Sequence, residues 1–224
     1  IQANQNDQHG GQSISNFDYG MAPGVRKTYM KRFRDNVSRL LDAEFDVEDS
    51  DAAAKRMLDE VEQETGLVPE MEEKPAFDEA LLARLGAYME KGQAEKLLRS
   101  VRKFSHKEIV KATFQAMEAL VHNLNTMNSR AGAQVPFSSI NYGTDTSPEG
   151  RLVMEQLLLA TEAGLGRGET PIFPIQIFRV KEGVNYNPGD PNYDLFRLAI
   201  RCSAKRLFPN FSFLDAPYNL RYYK

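Results

Sequence analysis

The feature that most constrains the fold is a change in hydrophobic periodicity near Asn128. From Phe17 to about Asn125, apolar residues recur at steps of three and four, which is the spacing of amphipathic helices. After Asn128, short runs rich in Val, Ile, Phe and Tyr alternate with helical segments, as in strands joined by helical crossovers. The sequence therefore predicts a mainly helical part over residues 1–128 and an α/β part over residues 129–224.

The helical part contains predicted helices over residues 25–45, 50–66, 77–90, 94–103 and 105–124. Pro23 and Gly24 are the predicted start of the first helix, and Gly66 ends the second. Ser105 followed by Glu108 is the pattern of a capping box, so a new helix is expected to begin there.

The α/β part contains predicted strands over residues 135–142, 171–180 and 210–214, with helices over 146–164 and 194–207 between them. The second run is apolar almost throughout, which is typical of a strand buried on both faces, although Pro174 limits its hydrogen bonding. This alternation predicts right-handed crossovers and a parallel α/β sheet or barrel.

Composition excludes several classes of protein. A net charge of −3 argues against a dedicated nucleic-acid binder, and no apolar run approaches the roughly 18 residues of a membrane helix. The single cysteine, Cys202, excludes an internal disulfide and a multi-cysteine zinc site, and it indicates a reducing, cytoplasmic setting. The chain starts at Ile1 without an initiator Met, so we expect a segment excised from a longer protein.

The segment between the last long helix and the first strand is a candidate ligand loop. It consists of Ser129, Arg130, Ala131, Gly132, Ala133 and Gln134. Small residues let the backbone approach a ligand, and the Arg130 guanidinium can form a fork onto phosphate or carboxylate. The segment matches neither a GxGxxG nor a Walker A pattern, so an ordinary helix-to-strand turn stays the simpler alternative.

The polar stretch over residues 4–12 surrounds His9 with amides and two glycines. It is too polar for a core and too low in charge for a solvated face. It is therefore either a disordered end or a site loop. No histidine of the chain has metal-ligand spacing, so no metal site is predicted.

Two further features have structural alternatives. Cys202 lies on a predicted helix, where a lone cysteine is more often a small buried hydrophobe than a nucleophile. No serine stands in a G-x-S-x-G elbow, so these patterns predict no catalytic residue. The loop over residues 183–191 follows a strand on the side of the sheet where α/β proteins bind ligands, and its functional and structural interpretations are balanced.

Several blocks of this sequence resemble the oxygen-sensitive, glycyl-radical class of ribonucleotide reductase, the anaerobic ribonucleoside-triphosphate reductases. The blocks are residues 129–147, 170–175, 181–185, 190–195 and 203–209, in the same order as in that family, with residues 7–14 and 17–19 before them. Only the acidic stretch over residues 42–104 carries no matching block.

The resemblance implies part of a ten-stranded α/β barrel, with the helical half outside it as a dimer and effector surface. Family members reduce ribonucleoside triphosphates: a glycyl radical passes its spin to a cysteine, whose thiyl radical abstracts the ribose 3′ hydrogen. The resemblance also implies a zinc site, ATP and deoxynucleotide (dNTP) effectors, a radical-SAM activating protein and a homodimer, with formate or a second cysteine as reductant. The net charge and the absence of a long apolar run predict no nucleic-acid or membrane partner.

The chain departs from the family pattern, because it contains no glycyl-radical loop, zinc cysteines or ATP-binding cone, and Cys202 matches neither active-site cysteine motif. We therefore expect an incomplete catalytic domain that is inactive alone and binds no cofactor. By analogy with reductase specificity loops, residues 129–134 with Ser138 and Ser139 are assigned to the substrate, and Gln8, His9 and Gln12 to the effector or substrate side. The alternative is a non-catalytic helical interaction module fused to a small α/β domain.

Overall fold

A computed structural model describes residues 10–127 and 135–220 and has an α/β fold, as predicted. Its elements in chain order are β1 (Gln12–Ile14), α1 (Phe17–Phe45), α2 (Ser50–Thr65), α3 (Pro75–Leu85), α4 (Lys91–Thr126), β2 (Ser138–Tyr142), α5 (Pro148–Ala163), β3 (Ile175–Val180), α6 (Tyr193–Arg206) and β4 (Asn210–Phe213). Within these two ranges, no helix has the length and apolar character needed to cross a membrane.

The four strands are parallel, and their order in the sheet, β1-β2-β3-β4, is also their order in the chain. In register, Ser13 lies beside Ser139, Asn141 beside Ile177, and Arg179 beside Ser212. The predicted parallel sheet is therefore confirmed, whereas its membership of a barrel stays a prediction.

The chain divides into two compact units, one formed by Ile1–Pro23 with Ala112–Lys224 and the other by Gly24–Lys111. In the first unit an aromatic cluster packs α6 onto the sheet. The ring of Phe178 on β3 lies 5.6 Å from that of Tyr142 and 6.1 Å from that of Phe196 on α6. The domain boundary at residue 128 stays a prediction.

The second unit is a helical bundle whose core follows the predicted apolar stripe of α1. Tyr29, Phe33 and Val37 are all buried, and the Phe33 ring meets that of Phe77 on α3 edge-on at 5.8 Å. The Arg102 guanidinium lies 5.8 Å from the Phe33 ring and forms an ion pair with Asp78, so the edge of this core is closed by a paired cation.

The largest differences from the predicted helix boundaries are in α4 and α1, and the helix predicted over residues 77–90 ends earlier, at Leu85. Residues 91–126 form one continuous helix, and Ser105 is not a cap: it is buried in mid-helix, where its Oγ accepts a hydrogen bond from Asn36 Nδ2 at 3.0 Å. Helix α1 begins at Phe17, upstream of Pro23, because Phe17 is buried and the helix start is held by tertiary contacts.

Candidate active-site face of the sheet

One face of the sheet is covered by α5 and α6. The Tyr142 hydroxyl donates to Gln176 Oε1 at 2.7 Å, and Gln176 Nε2 donates to Thr161 Oγ1 on α5 at 2.8 Å. Because side chains alternate along a strand, Ser138, Ile140 and Phe178 lie on this helix-covered face as well. All of these residues are buried.

The residues between them form the opposite face, which we call the polar face. It consists of Ser13, Ser139, Asn141, Ile175, Ile177, Arg179, Asn210 and Ser212. Ser13 and Asn210 are exposed, and Ser139, Asn141, Ile175, Ile177 and Ser212 are partly exposed. Five of these eight side chains are serine or asparagine and two are isoleucine, so hydrogen-bonding groups predominate on this face.

Asp18, in the first turn of α1, fixes the chain at the carboxyl end of β2. Its side chain is fully buried, and its Oδ2 accepts the backbone N–H groups of Gly143, Thr144 and Asp145 at 2.9, 3.1 and 3.1 Å. Three consecutive amides around one carboxylate oxygen form an anion-binding nest. The loop that follows β2 is therefore held rigidly against the start of α1.

Arg179 brings a buried cation to the same end of the polar face. Its Nη2 atom lies 3.8 Å from Asp18 Oδ1, which is an ion-pair distance and not a hydrogen bond. Four buried atoms here have no hydrogen-bond partner among the described residues: Nε and Nη2 of Arg179, Oδ1 of Asp18 and Oδ1 of Asn141. Buried donors and acceptors without a partner are uncommon in folded proteins, and a bound water, an ion or a catalytic role accounts for many of them.

The loop over residues 183–191, for which the sequence allowed a functional or a structural role, is held by side-chain hydrogen bonds to neighbouring backbone. Asn185 Nδ2 donates to the carbonyl oxygens of Gly143 and Arg179 at 2.8 and 2.9 Å, and Asn192 Nδ2 donates to that of Asp145 at 2.8 Å. Both asparagines are fully buried. They tie the loops after β2 and β3 together and set the shape of this end of the sheet.

Two buried titratable groups in this unit are held neutral. Burial, reinforced by Cys202 and Asp18, raises the pKa of Tyr142 well above its ordinary value, so its hydroxyl stays a hydrogen-bond donor. Burial, followed by the charge of Glu162, raises the pKa of Cys202 to about 11. The Cys202 thiol donates to the Leu158 carbonyl at 3.6 Å, in keeping with a small buried hydrophobe and not a nucleophile.

The structure places the predicted site residues unevenly. Gln8, His9 and residues 129–134 lie outside the described residues. Gln12 and Ser138 are paired in register at the start of β1 and β2, and Gln12 Oε1 and Ser138 Oγ are buried without a hydrogen-bond partner in the part of the chain that the structure describes. Ser139 lies on the polar face, so Ser138 and Ser139 point to opposite sides of the sheet. Their assignment to the substrate stays a prediction.

Asn141, Arg179 and Asp18 were not singled out from the sequence as site residues. Alternation along the predicted 135–142 strand could have found Asn141, because it shares a face with Ser139. Asp18 and Arg179 are 161 positions apart by their numbers, and no local pattern joins them. Over residues 10–127 and 135–220, no group of three or more His, Cys, Asp or Glu side chains is placed to hold a metal ion.

Comparisons with known proteins agree on one family. The family model described as "Anaerobic ribonucleoside-triphosphate reductase" matches residues 1–224. The chain is similar to the anaerobic ribonucleoside-triphosphate reductase of Escherichia coli K12, with 36% identity over 108 residues, which is 48% of this chain and 15% of that protein. The Haemophilus influenzae protein of the same name is 40% identical over 103 residues, 46% of the chain and 14% of that protein.

The enzyme of that name from phage T4 is 40% identical over 108 residues, 48% of the chain and 18% of its own length. The matches thus span less than a fifth of the length of these relatives. Neither these relatives nor the described residues favour the alternative of a non-catalytic interaction module.

Proposed function

Because the chain belongs to the anaerobic ribonucleoside-triphosphate reductase family, we propose that the polar face of its sheet lines part of the chamber in which a ribonucleoside triphosphate is reduced. The observation that carries the proposal is the polar face itself, with Ser139 and Asn141 partly exposed on one strand. A ribose presents hydroxyl groups, which require such donors and acceptors. The carboxyl end of a parallel sheet is also where α/β proteins bind ligands.

The residues of this chain act in binding and positioning. Asn141 is partly exposed on the polar face, and its side-chain amide binds a substrate hydroxyl by a hydrogen bond. Asp18 and the two buried asparagines keep the loops at the rim of the chamber in place, so the substrate meets a preorganised surface. Radical chemistry is supplied by a glycyl radical and a thiyl cysteine from other parts of the complete reductase.

The remaining site assignments belong to the same proposal. Residues 129–134 bind the base and ribose of the substrate, together with Ser138 and Ser139. Gln8, His9 and Gln12 serve the effector or substrate side. Small residues in the 129–134 loop let it change conformation when an effector binds, which makes substrate choice a shift between loop conformers.

The partners follow from the family. The complete protein is a cytoplasmic homodimer with a zinc site, is regulated by ATP and deoxynucleotides, and receives its radical from a radical-SAM activating protein. Support for these features is the family membership alone.

The test uses the complete reductase that contains this chain, activated without oxygen and assayed for deoxyribonucleoside triphosphate formation. Asn141→Ala should lower kcat/KM about tenfold or more, which is about 1.4 kcal/mol of transition-state binding. Gln63→Ala, on an exposed position of α2, is the control and should retain wild-type kinetics. Equal activity of the two variants would remove the polar face from the chamber, and an activated wild-type enzyme without product would remove the reductase assignment.

A further inference from the structure

Four polar atoms at the carboxyl end of the polar face are buried without a hydrogen-bond partner in the ranges that the structure describes. They are Nε and Nη2 of Arg179, Oδ1 of Asp18 and Oδ1 of Asn141. Arg179 and Asp18 are 6% and 0% exposed, so both charges are inside the fold. Buried polar groups are stable when they are hydrogen-bonded, and this holds most strongly for charged groups. The fold therefore requires a further hydrogen-bonding partner at this point.

The three side chains lie together. Arg179 Nη2 is 3.8 Å from Asp18 Oδ1, which is too far for a direct hydrogen bond and is a separation that one bridging water molecule spans. Nε is bonded to the same guanidinium carbon as Nη2, so the two N–H groups form one edge of the arginine fork. Asn141 pairs in register with Ile177, which places it on the same face two residues before Arg179, at the diagonal spacing that long side chains reach.

The chemistry of the four atoms selects water over an ion. Two N–H donors and two oxygen acceptors match the two lone pairs and the two hydrogen atoms of one water molecule. Asp18 and Arg179 carry opposite charges, so a cation bound here would lie beside the guanidinium and an anion would lie beside the carboxylate, each at a Coulombic cost. A buried water that makes two to four hydrogen bonds to otherwise unpaired polar groups is an ordinary part of a folded protein.

We propose that Arg179 and Asp18 bind one buried water molecule, and that this water holds the Asn141 side chain by its Oδ1. The water accepts hydrogen bonds from Nε and Nη2 of Arg179 and donates to the oxygens of Asp18 and Asn141. Arg179 is a positioning residue, because it acts on the polar face through the water and Asn141. Its effect on the substrate rests on the chamber under "Proposed function", whereas the water site rests on the buried atoms alone.

The water fixes which end of the Asn141 amide faces the chamber. Both of its lone pairs are used by the guanidinium, so it has only hydrogen atoms left, and the amide atom that faces it is the acceptor Oδ1. The amide nitrogen Nδ2 donates to no acceptor within residues 10–127 and 135–220 and is not one of the buried unpaired atoms, and the residue is partly exposed. Asn141 therefore offers the substrate an N–H donor, which a ribose oxygen accepts.

The first measurement is a high-resolution crystal structure of the complete reductase that contains this chain. We expect an ordered water within about 3.2 Å of Arg179 Nη2, Asp18 Oδ1 and Asn141 Oδ1. A direct hydrogen bond between Arg179 and Asp18 with no water beside either side chain would overturn the water site. A metal ion or a halide at that position would overturn it as well.

The second measurement is kcat/KM for deoxyribonucleoside triphosphate formation by the activated complete reductase. Arg179→Met removes both donors and should lower kcat/KM about fivefold, but less than about twofold in the Asn141→Ala background, since Arg179 acts through Asn141. Arg179→Lys keeps the charge and a donor, so its kcat/KM should lie between those of wild type and Arg179→Met. Arg201→Met, which removes an exposed arginine paired with Glu162, is the control and should retain wild-type kinetics.

The kinetic results separate this proposal from the chamber assignment. If Arg179→Met lowers kcat/KM equally in the wild-type and Asn141→Ala backgrounds, Arg179 does not act through Asn141 and the positioning role is overturned. The same comparison with Arg179→Lys, which keeps the buried charge, decides the question if Arg179→Met does not fold. Wild-type kinetics of Asn141→Ala with the water in place would remove the chamber and the substrate role of Nδ2, and would leave the water site standing.

Discussion

Replacement of Asp18 by asparagine is the sharpest test of the network at the carboxyl end of β2. Asparagine keeps one oxygen for the amides of Gly143, Thr144 and Asp145. It also replaces the Asp18 Oδ1 atom, which lies 3.8 Å from Nη2 of Arg179, by an uncharged amide group. The Arg179 cation, whose side chain is only 8% exposed, then loses the carboxylate that compensates its charge.

The magnitude follows from the two parts of this interaction. A hydrogen bond to a charged acceptor contributes about 1.5–3 kcal/mol, against about 0.5–1.5 kcal/mol for a neutral one, so three bonds weaken by about 3 kcal/mol together. Removal of one partner of a buried ion pair costs about 3–5 kcal/mol. Both figures result from the loss of the same negative charge on Asp18, so they are not added together. We therefore expect Asp18→Asn to lower the free energy of unfolding by about 3–5 kcal/mol, equivalent to a fall in Tm of roughly 6–20 °C.

The assay is equilibrium urea unfolding of the 224-residue chain, followed by circular dichroism. Asp215→Asn is the matched control: Asp215 is exposed and accepts one backbone hydrogen bond, from the Glu182 N–H at 2.8 Å, so its substitution should cost about 1 kcal/mol or less. In the Arg179→Met background, where the buried cation is absent, Asp18→Asn should cost at least about 1 kcal/mol less than in the wild type.

Two results would refute this reasoning. One is an Asp18→Asn variant that is no less stable than Asp215→Asn. The other is strict additivity of Asp18→Asn and Arg179→Met, within about 0.5 kcal/mol, because additivity would mean that the two buried side chains do not interact.

Three further predictions concern packing, a side-chain clamp and a titration. Gly143→Ala should lower the free energy of unfolding by more than about 3 kcal/mol, because the new Cβ would lie 2.5 Å from the Arg179 carbonyl oxygen and φ at this position is +136°. Gly166→Ala, whose Cβ would meet no atom within 4 Å, is the control and should lower it by less than about 1 kcal/mol. Equal Tm values for the two variants would contradict this geometry. Asn125 Oδ1 accepts the N–H groups of Ile172 and Phe173 at 2.8 and 3.0 Å, and its Nδ2 donates to the carbonyl oxygens of Val121 and Phe173 at 2.6 Å each. Asn125→Ala should therefore lower the free energy of unfolding, measured in urea, by about 1–3 kcal/mol. Asn125→Asp keeps the acceptor but turns a carboxylate oxygen towards the two carbonyl oxygens, so it should be no more stable than Asn125→Ala, and wild-type stability of Asn125→Asp would contradict this geometry. The folded-state pKa of Cys202, about 11, exceeds its ordinary value of 9.0. The stability that this raised pKa contributes is therefore complete below pH 9 and is lost as the pH rises towards 11. The difference in free energy of unfolding between wild type and Cys202→Ser should shrink over that interval, and a constant difference would show that the thiol does not titrate there.

Regular elements of the α/β part were predictable because each carries a local signal. Ser147 is an example: its Oγ accepts from the Gly150 N–H at 3.1 Å and caps α5, and the sequence predicts a helix start at that point. Strand β1 was not predicted, since three residues are too few to show a period of two. Its place in the sheet depends on pairing with β2, which is a tertiary contact.

The candidate site was less predictable, for a physical reason. Alternation along a strand predicts which residues share a face of the sheet. Which of the two faces is covered depends on helices from other parts of the chain, as in the hydrogen bond between Gln176 on β3 and Thr161 on α5. Likewise Ser105 and Glu108 satisfy a capping pattern, yet Ser105 is bonded to Asn36 in the interior of a bundle. In both cases, a partner distant in sequence decides the role of a locally ambiguous residue.

The coincidence of sheet order and chain order has a consequence for how this protein tolerates changes in length. Only the connection from β1 to β2 contains the whole second unit, Gly24–Lys111. Lengthening a connection adds closure entropy only slowly, about 0.6 kcal/mol per doubling for a flexible loop. Insertions and deletions inside that helical unit can thus accumulate without breaking a single strand pairing, and the acidic stretch over residues 42–104 is free to diverge while the sheet keeps its alignment.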